Sequence, residues 1–117
     1  MAGLTTHILD TSHGQPAADV ALRLYRRSDA GDTLLVETRT NSDGRTDAPL
    51  LSAQDMTSGR YRLTFDVAAY FKARGVVLAD PPFLDVVCID FGVSDSTAHY
   101  HVPLLVSPFG YSTYRGS

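Results

Sequence analysis

The chain has 117 residues, 44% hydrophobic and 20% charged, a balance that excludes disordered and fibrous classes and fits one domain spanning residues 1–117. Its net charge of −3 argues against a nucleic-acid partner, and no run approaches the about 20 apolar residues of a membrane span. One cysteine, Cys88, rules out a disulfide framework within the chain and fits a reducing compartment. The N-terminus shows neither a basic region nor a long apolar stretch, so no secretory signal is expected and the location expected is cytoplasmic.

The dominant period along the chain is two, the period of strands that bury one face. A β-prone run at 4–9 comes first, followed by the turn formers Ser12-His-Gly-Gln-Pro16. Val20, Leu22 and Leu24 then alternate with Ala21, Arg23 and Tyr25 up to the turn Ser28-Asp-Ala-Gly-Asp32. A run at 34–40 ends at Asn41-Ser-Asp-Gly44, with a short strand predicted at 45–48. Tyr61, Leu63 and Phe65 form the next alternating set. Residues 66–75 break the pattern: Asp66 is a candidate N-cap, Val67, Tyr70 and Phe71 share a helical face, and Gly75 suits the residue after the last turn. After Asp80-Pro-Pro82 come a run at 83–91, the set Tyr100, Val102, Leu104 and Val106, the turn Ser107-Pro-Phe-Gly110 and a run at 111–114. Seven or eight short strands spaced in this way predict an all-β antiparallel sandwich with one short helix laid on it.

The histidines are the first candidates for chemistry. His99 and His101 are two apart in a strand and share a face, opposite the apolar set that begins at Tyr100. Pro103 and Leu105 continue their face, which gives it the composition of an interface or pocket wall. His7 shares its face with Leu9, opposite Leu4, Thr6 and Ile8. Three readings stay open for these imidazoles: unrelated surface groups, a zinc site built from His7, His99 and His101, or proton transfer to and from water. His13, in a glycine-proline turn, is expected to have only a loop role. Arg45 directly follows a tight turn, where a cation is ordinarily solvated unless it meets an anion or a carbonyl-rich ligand. Cys88, in the apolar run Asp85-Val-Val-Cys-Ile, reads as a core residue. The terminal Tyr111-Ser-Thr-Tyr-Arg-Gly-Ser117 is either a fraying edge strand or a buried set offering a phenol, a guanidinium and a hydroxyl.

The segments Leu4-Thr-Thr-His-Ile-Leu-Asp10, Thr40-Asn-Ser-Asp-Gly-Arg45 and 99–117, ending in Tyr-Arg-Gly-Ser, closely resemble the 5-hydroxyisourate hydrolases, the transthyretin-like protein family of purine catabolism. The terminal block separates these enzymes from transthyretin, the hormone carrier of the same fold. The resemblance implies a transthyretin-like (prealbumin-like) sandwich of two four-stranded sheets with one short α-helix. It implies a homotetramer with active sites at the dimer–dimer interface, a small-molecule substrate, 5-hydroxyisourate, and no cofactor or metal. Carried over position by position, the catalytic residues fall on His7, Arg45 and His101, and the substrate-binding residues on His99, Tyr114, Arg115, Gly116 and Ser117. In the reaction so implied, His101, or a His7–His101 pair, activates water while Arg45, helped by Arg115, faces the developing oxyanion. Two alternatives are a carrier binding an aromatic ligand in a tetramer channel and a zinc-dependent hydrolase. A purely structural module would leave the terminal tetrapeptide without a role.

Overall fold

The computed structural model describes residues 3–116. These form eight strands: β1 (Gly3–Asp10), β2 (Gln15–Pro16), β3 (Ala21–Ser28), β4 (Gly31–Arg39), β5 (Gly59–Asp66), β6 (Val86–Val93), β7 (His99–Ser107) and β8 (Gly110–Thr113), with one helix, α1 (Val67–Ala73), between β5 and β6. They make two four-stranded sheets, ordered β2-β1-β7-β8 and β4-β3-β5-β6. No helix among the described residues is long and apolar enough to cross a membrane.

The period-two pattern decides which face of each strand is inside. Leu22 and Leu24 of β3, Tyr61, Leu63 and Phe65 of β5, and Leu104 and Val106 of β7 are each at most 1% exposed. They meet Leu4 and Ile8 of β1 between the sheets, each large side chain so buried contributing roughly 1.5–3 kcal/mol. Helix α1 adds Val67, Tyr70 and Phe71 to this core, as their spacing predicts. Asp66 stands at its N-cap position, yet its side chain caps nothing; the carboxylate turns to Arg23, 3.5 Å away. Gly75, with φ 83°, ends the helix through N–H donation to the Lys72 carbonyl.

Three expectations are corrected. The sandwich is not wholly antiparallel: β1 runs parallel to β7, because the crossover through the second sheet and helix returns the chain in the same direction. A period of two carries no information about strand direction, so the pattern could not tell. Residues 45–48 do not make a strand; Arg45 contributes a single bridge to His7. Cys88 is exposed, since β6 buries Val87 and Ile89 and turns the residue between them outward. The two-residue β2 lies inside what reads as a turn, where Leu9 and Asp10 pair with Pro16 and Gln15.

At the end of β1 a carboxylate is sealed inside the protein. Asp10 accepts hydrogen bonds at Oδ1 from the backbone N–H groups of Ser12 (3.0 Å) and His13 (3.1 Å) and from the Ser12 hydroxyl (2.6 Å). Its Oδ2 lies 2.5 Å from His13 Nδ1 and accepts the Tyr70 hydroxyl at 2.8 Å. Burial alone would raise the carboxyl pKa, but the bonds from Ser12, Tyr70 and His13 outweigh it and hold Asp10 below the ordinary value. Burial, with the bond to Asp10, pushes Tyr70 up to about 12. Because the folded carboxyl resists protonation, its stabilisation is complete above the unfolded value and is lost as pH falls through the lower folded one. Tyr70→Phe is therefore expected to cost about 1.5–3 kcal/mol in urea unfolding at neutral pH. The gap from the parent chain should narrow below about pH 4.

Candidate active site

Strand alternation and the parallel register together assemble a cluster on the outer face of the first sheet. His99 and His101 of β7 point away from Tyr100, Val102 and Leu104, and both are half-buried. On β1 the same outer face carries Thr5 and His7. Thr5 is paired directly with His101, and His7 with Pro103, so the two catalytic-candidate histidines are diagonal neighbours across the pair. The Thr5 hydroxyl lies 2.8 Å from His101 Nδ1 and 3.4 Å from His99 Nε2.

Arg45 reaches this cluster on a loop pressed against β1. Asn41 closes the loop: its side-chain oxygen accepts the N–H groups of Asp43 (2.9 Å) and Arg45 (3.2 Å), and its own N–H donates to the Arg45 carbonyl (2.7 Å). Gly44, at φ 74°, offers its carbonyl to the Ile8 N–H at 2.8 Å, and a Cβ there would collide with the Ile8 carbonyl oxygen. Only glycine satisfies both the dihedral and the approach. The tight turn thus acts as a clamp that sets Arg45 beside His7.

The end of the chain closes the other side. Gly116 donates its N–H to the His101 carbonyl at 2.7 Å, and a Cβ on Gly116 would lie 2.7 Å from His101 Cδ2. The backbone therefore passes too close to the imidazole to leave room for a side chain. Tyr114 and Gly116 join Thr5, Arg45, Asp47, His99 and His101 around an open groove of about 560 Å³. Arg115 is directed elsewhere: its guanidinium stacks on the Tyr100 ring at 4.1 Å and donates to the His99 carbonyl at 3.2 Å. Ser117 lies outside the described residues. His13, as its turn suggests, serves the Asp10 cluster rather than the groove.

The electrostatics favour neutral imidazoles. Burial lowers the His101 pKa, with the Arg45 guanidinium, His7 and His99 adding to it. Burial and Arg45 also lower His7, against a partial opposing pull from Asp43. At pH 7 both rings can accept a proton, and the Arg45 side chain, carried on the clamped loop, brings a guanidinium to the same groove for developing negative charge. Among the described residues no three His, Cys, Asp or Glu side chains gather as a metal-ligand set. Sequence reasoning missed Thr5, Asp47 and the lining residues Thr46 and Pro49. Thr5 had a signal, for it sits two residues before His7 on the same strand face.

Three comparisons place the chain among known proteins. A model described as the HIUase/Transthyretin family matches residues 4–116. A relative from Caulobacter vibrioides named 5-hydroxyisourate hydrolase is 56% identical over 117 residues, covering 100% of both chains. The structure of Klebsiella pneumoniae 5-hydroxyisourate hydrolase superposes with a TM-score of 0.81 at 38% identity, covering 100% of both chains. That of (S)-allantoin synthase gives 0.93 at 42% identity, covering 99% of this chain, which spans 44% of that longer one.

The charge arrangement has a direct test. In NMR titration His7 and His101 should both have midpoints below about 6.5, and Arg45→Met should raise both by removing the neighbouring positive charge. Between the folded midpoints and about 6.5 the unfolded chain binds more protons at these sites, so they subtract stability as pH falls through that window. Unchanged midpoints in Arg45→Met would refute the placement of its guanidinium.

Proposed function

We propose that this chain, which belongs to the HIUase/Transthyretin family, is a single-domain 5-hydroxyisourate hydrolase that opens the six-membered ring at its N1–C6 amide. One observation carries the reading: the His101 imidazole, its pKa lowered by burial, and the guanidinium of Arg45, borne on a clamped loop, line one polar groove large enough for a flat bicyclic substrate. The name shared by relatives along the full chain supports the same chemistry.

His101 takes a proton from a water molecule as the oxygen attacks the C6 carbonyl carbon. Arg45 donates hydrogen bonds to the oxyanion that forms. The C6–N1 bond then breaks, and the proton held by the imidazole passes to N1 as the leaving nitrogen. C6 stays on the five-membered ring as a carboxylic acid that gives its remaining proton to solvent and becomes a carboxylate. The product is 2-oxo-4-hydroxy-4-carboxy-5-ureidoimidazoline. His7, diagonal to His101 across the strand pair, adds to the burial and Arg45 effects that lower the His101 pKa and so favour the proton-accepting form. Tyr114, Gly116, His99 and Ser117 hold the ring in place. Arg115 acts through Tyr100, anchoring the terminal segment whose Gly116 lies on the catalytic imidazole.

The assembly we propose is a homotetramer in which two chains pair edge to edge and two such dimers face one another across the groove. The open, outward position of the groove and the exposure of Arg45 and Tyr114 at its rim support closure by a second copy. The carrier alternative is less well supported, because Arg45, Asp47, His99 and His101 make this groove polar, whereas an apolar aromatic ligand needs an apolar wall.

With 5-hydroxyisourate generated from urate by a urate oxidase, the protein should accelerate loss of the intermediate, seen by ultraviolet absorbance, and accumulate one enantiomer of product, seen by circular dichroism. His101→Asn should lower kcat/KM by roughly 10²–10⁴-fold, and Arg45→Met by roughly 10²–10³-fold. EDTA should leave the rate unchanged. The kcat/KM should fall on acidification below about pH 6.5, where protonated imidazole can no longer accept. Decay at the spontaneous rate in the presence of folded protein would sink the enzymatic reading.

A further inference from the structure

A hydroxyl between two imidazoles is an unusual occupant of the outer face of a sheet. Thr5 Oγ1 is 2.8 Å from His101 Nδ1 and 3.4 Å from His99 Nε2, and the parallel register sets Thr5 directly beside His101. A hydroxyl has one proton and two lone pairs. Two arrangements satisfy all three groups. In one, His101 carries its proton on Nδ1 and donates it to Thr5, whose own proton goes to His99 Nε2. In the other, every donor and acceptor along that line is reversed, and His101 carries its proton on Nε2.

The groove chooses between them. His101 Nε2 has no hydrogen-bond partner among the described residues, and the nearby Arg45 guanidinium offers only donors. With Nδ1 engaged by Thr5, Nε2 is the ring nitrogen left for the groove, and a donor-only guanidinium sharing that groove is met there by a lone pair and not by an N–H. Gly116 packs close beside the Cδ2 edge of the same ring, where a Cβ would lie 2.7 Å from Cδ2. We infer that Thr5 is a positioning residue: its hydroxyl holds His101 as the Nδ1–H tautomer, so that the basic Nε2 lone pair faces the groove. Nothing else among the described residues bonds Nδ1, so loss of the hydroxyl frees both tautomer and ring angle. His99 is then the outer anchor of the hydroxyl rather than a second base.

The inference about catalysis rests on the hydrolase reading, but the tautomer does not, and two measurements keep them apart. In the free wild-type protein, ¹⁵N NMR of the imidazoles should find Nδ1 of His101 protonated and Nε2 unprotonated. Thr5→Val, which keeps the branched shape, should shift His101 towards the Nε2–H form. Thr5→Ser, which keeps the hydroxyl, should retain the wild-type signature. In the 5-hydroxyisourate assay Thr5→Val should lose roughly tenfold or more in kcat with KM changed no more than about twofold, and Thr5→Ser should stay within about threefold of wild type. A wild-type His101 protonated on Nε2 would overturn the proposal, and so would a Thr5→Val protein with unaltered tautomer and kcat. Should Thr5→Val fail to fold, the wild-type and Thr5→Ser spectra still decide it. If the wild-type protein leaves 5-hydroxyisourate to decay spontaneously, the hydrolase reading fails while the spectra still judge the role of Thr5.

Discussion

The parallel pairing of β1 with β7 is the constraint from which the site follows. It joins residues 3–10 to residues 99–106, so groups from opposite ends of the chain meet only because this ladder is in register. A slip of one residue would exchange the two faces of β1, sending Thr5 and His7 into the core and Leu4 and Ile8 to the groove. The core therefore enforces the register, and the register enforces the chemistry. Both strands are interior to their sheet, flanked by β2 and β8. Exposing the imidazole cluster by local opening would mean breaking the middle of a sheet, which places the site at the stable end of the molecule's range of motions.

Around this rigid pair, two segments of irregular backbone are fastened by glycines for different reasons. Gly44 is required by a positive φ and by contact with the β1 backbone, and so brings a cation to within the field of two histidines. Gly116 is required by a side chain, because only a bare Cα can lie on the His101 ring. The result is an arrangement in which charge is supplied by a loop, basicity by strands and closure by the terminal segment. Burial of the imidazoles and the proximity of Arg45 act in the same direction, and both lower the pKa of His7 and His101.

Much of this was legible before any coordinates. Alternation put His99 and His101 opposite the core, placed His7 on an outer face, and located the helix from Val67, Tyr70 and Phe71; the resemblance of the terminal block singled out Tyr114 to Ser117. What stayed hidden depends on direction and on contacts across the fold. Period two is blind to whether neighbours run parallel, so the meeting of Thr5 with His101 could not be derived. Thr5 itself reads as an ordinary strand former, β-branched and polar. Cys88 lies in a run apolar on both faces, where alternation gives no inside. Arg115 looked like a second cation for the site, and its stacking on Tyr100 is visible only once β7 and the terminal segment are side by side.

Strand β4 carries a bulge that disturbs its free edge. The register against β3 shifts between Leu24 and Tyr25, so β4 holds one residue too many and its free edge is out of step. On the same sheet the opposite edge, β6, is regular over eight residues, and on the other sheet β2 spans only two residues while β8 spans four. An unspoiled edge invites another strand to add to it, and an irregular or very short one discourages it. β6 and β8 flank one side of the sandwich, where residues of both line a shared apolar slot. Among the described strands, β6 thus offers a long regular edge on one side of the sandwich, while β4 and β2 offer only an irregular and a very short one on the other. Strand addition that began at β6 would find no matching second edge to continue from.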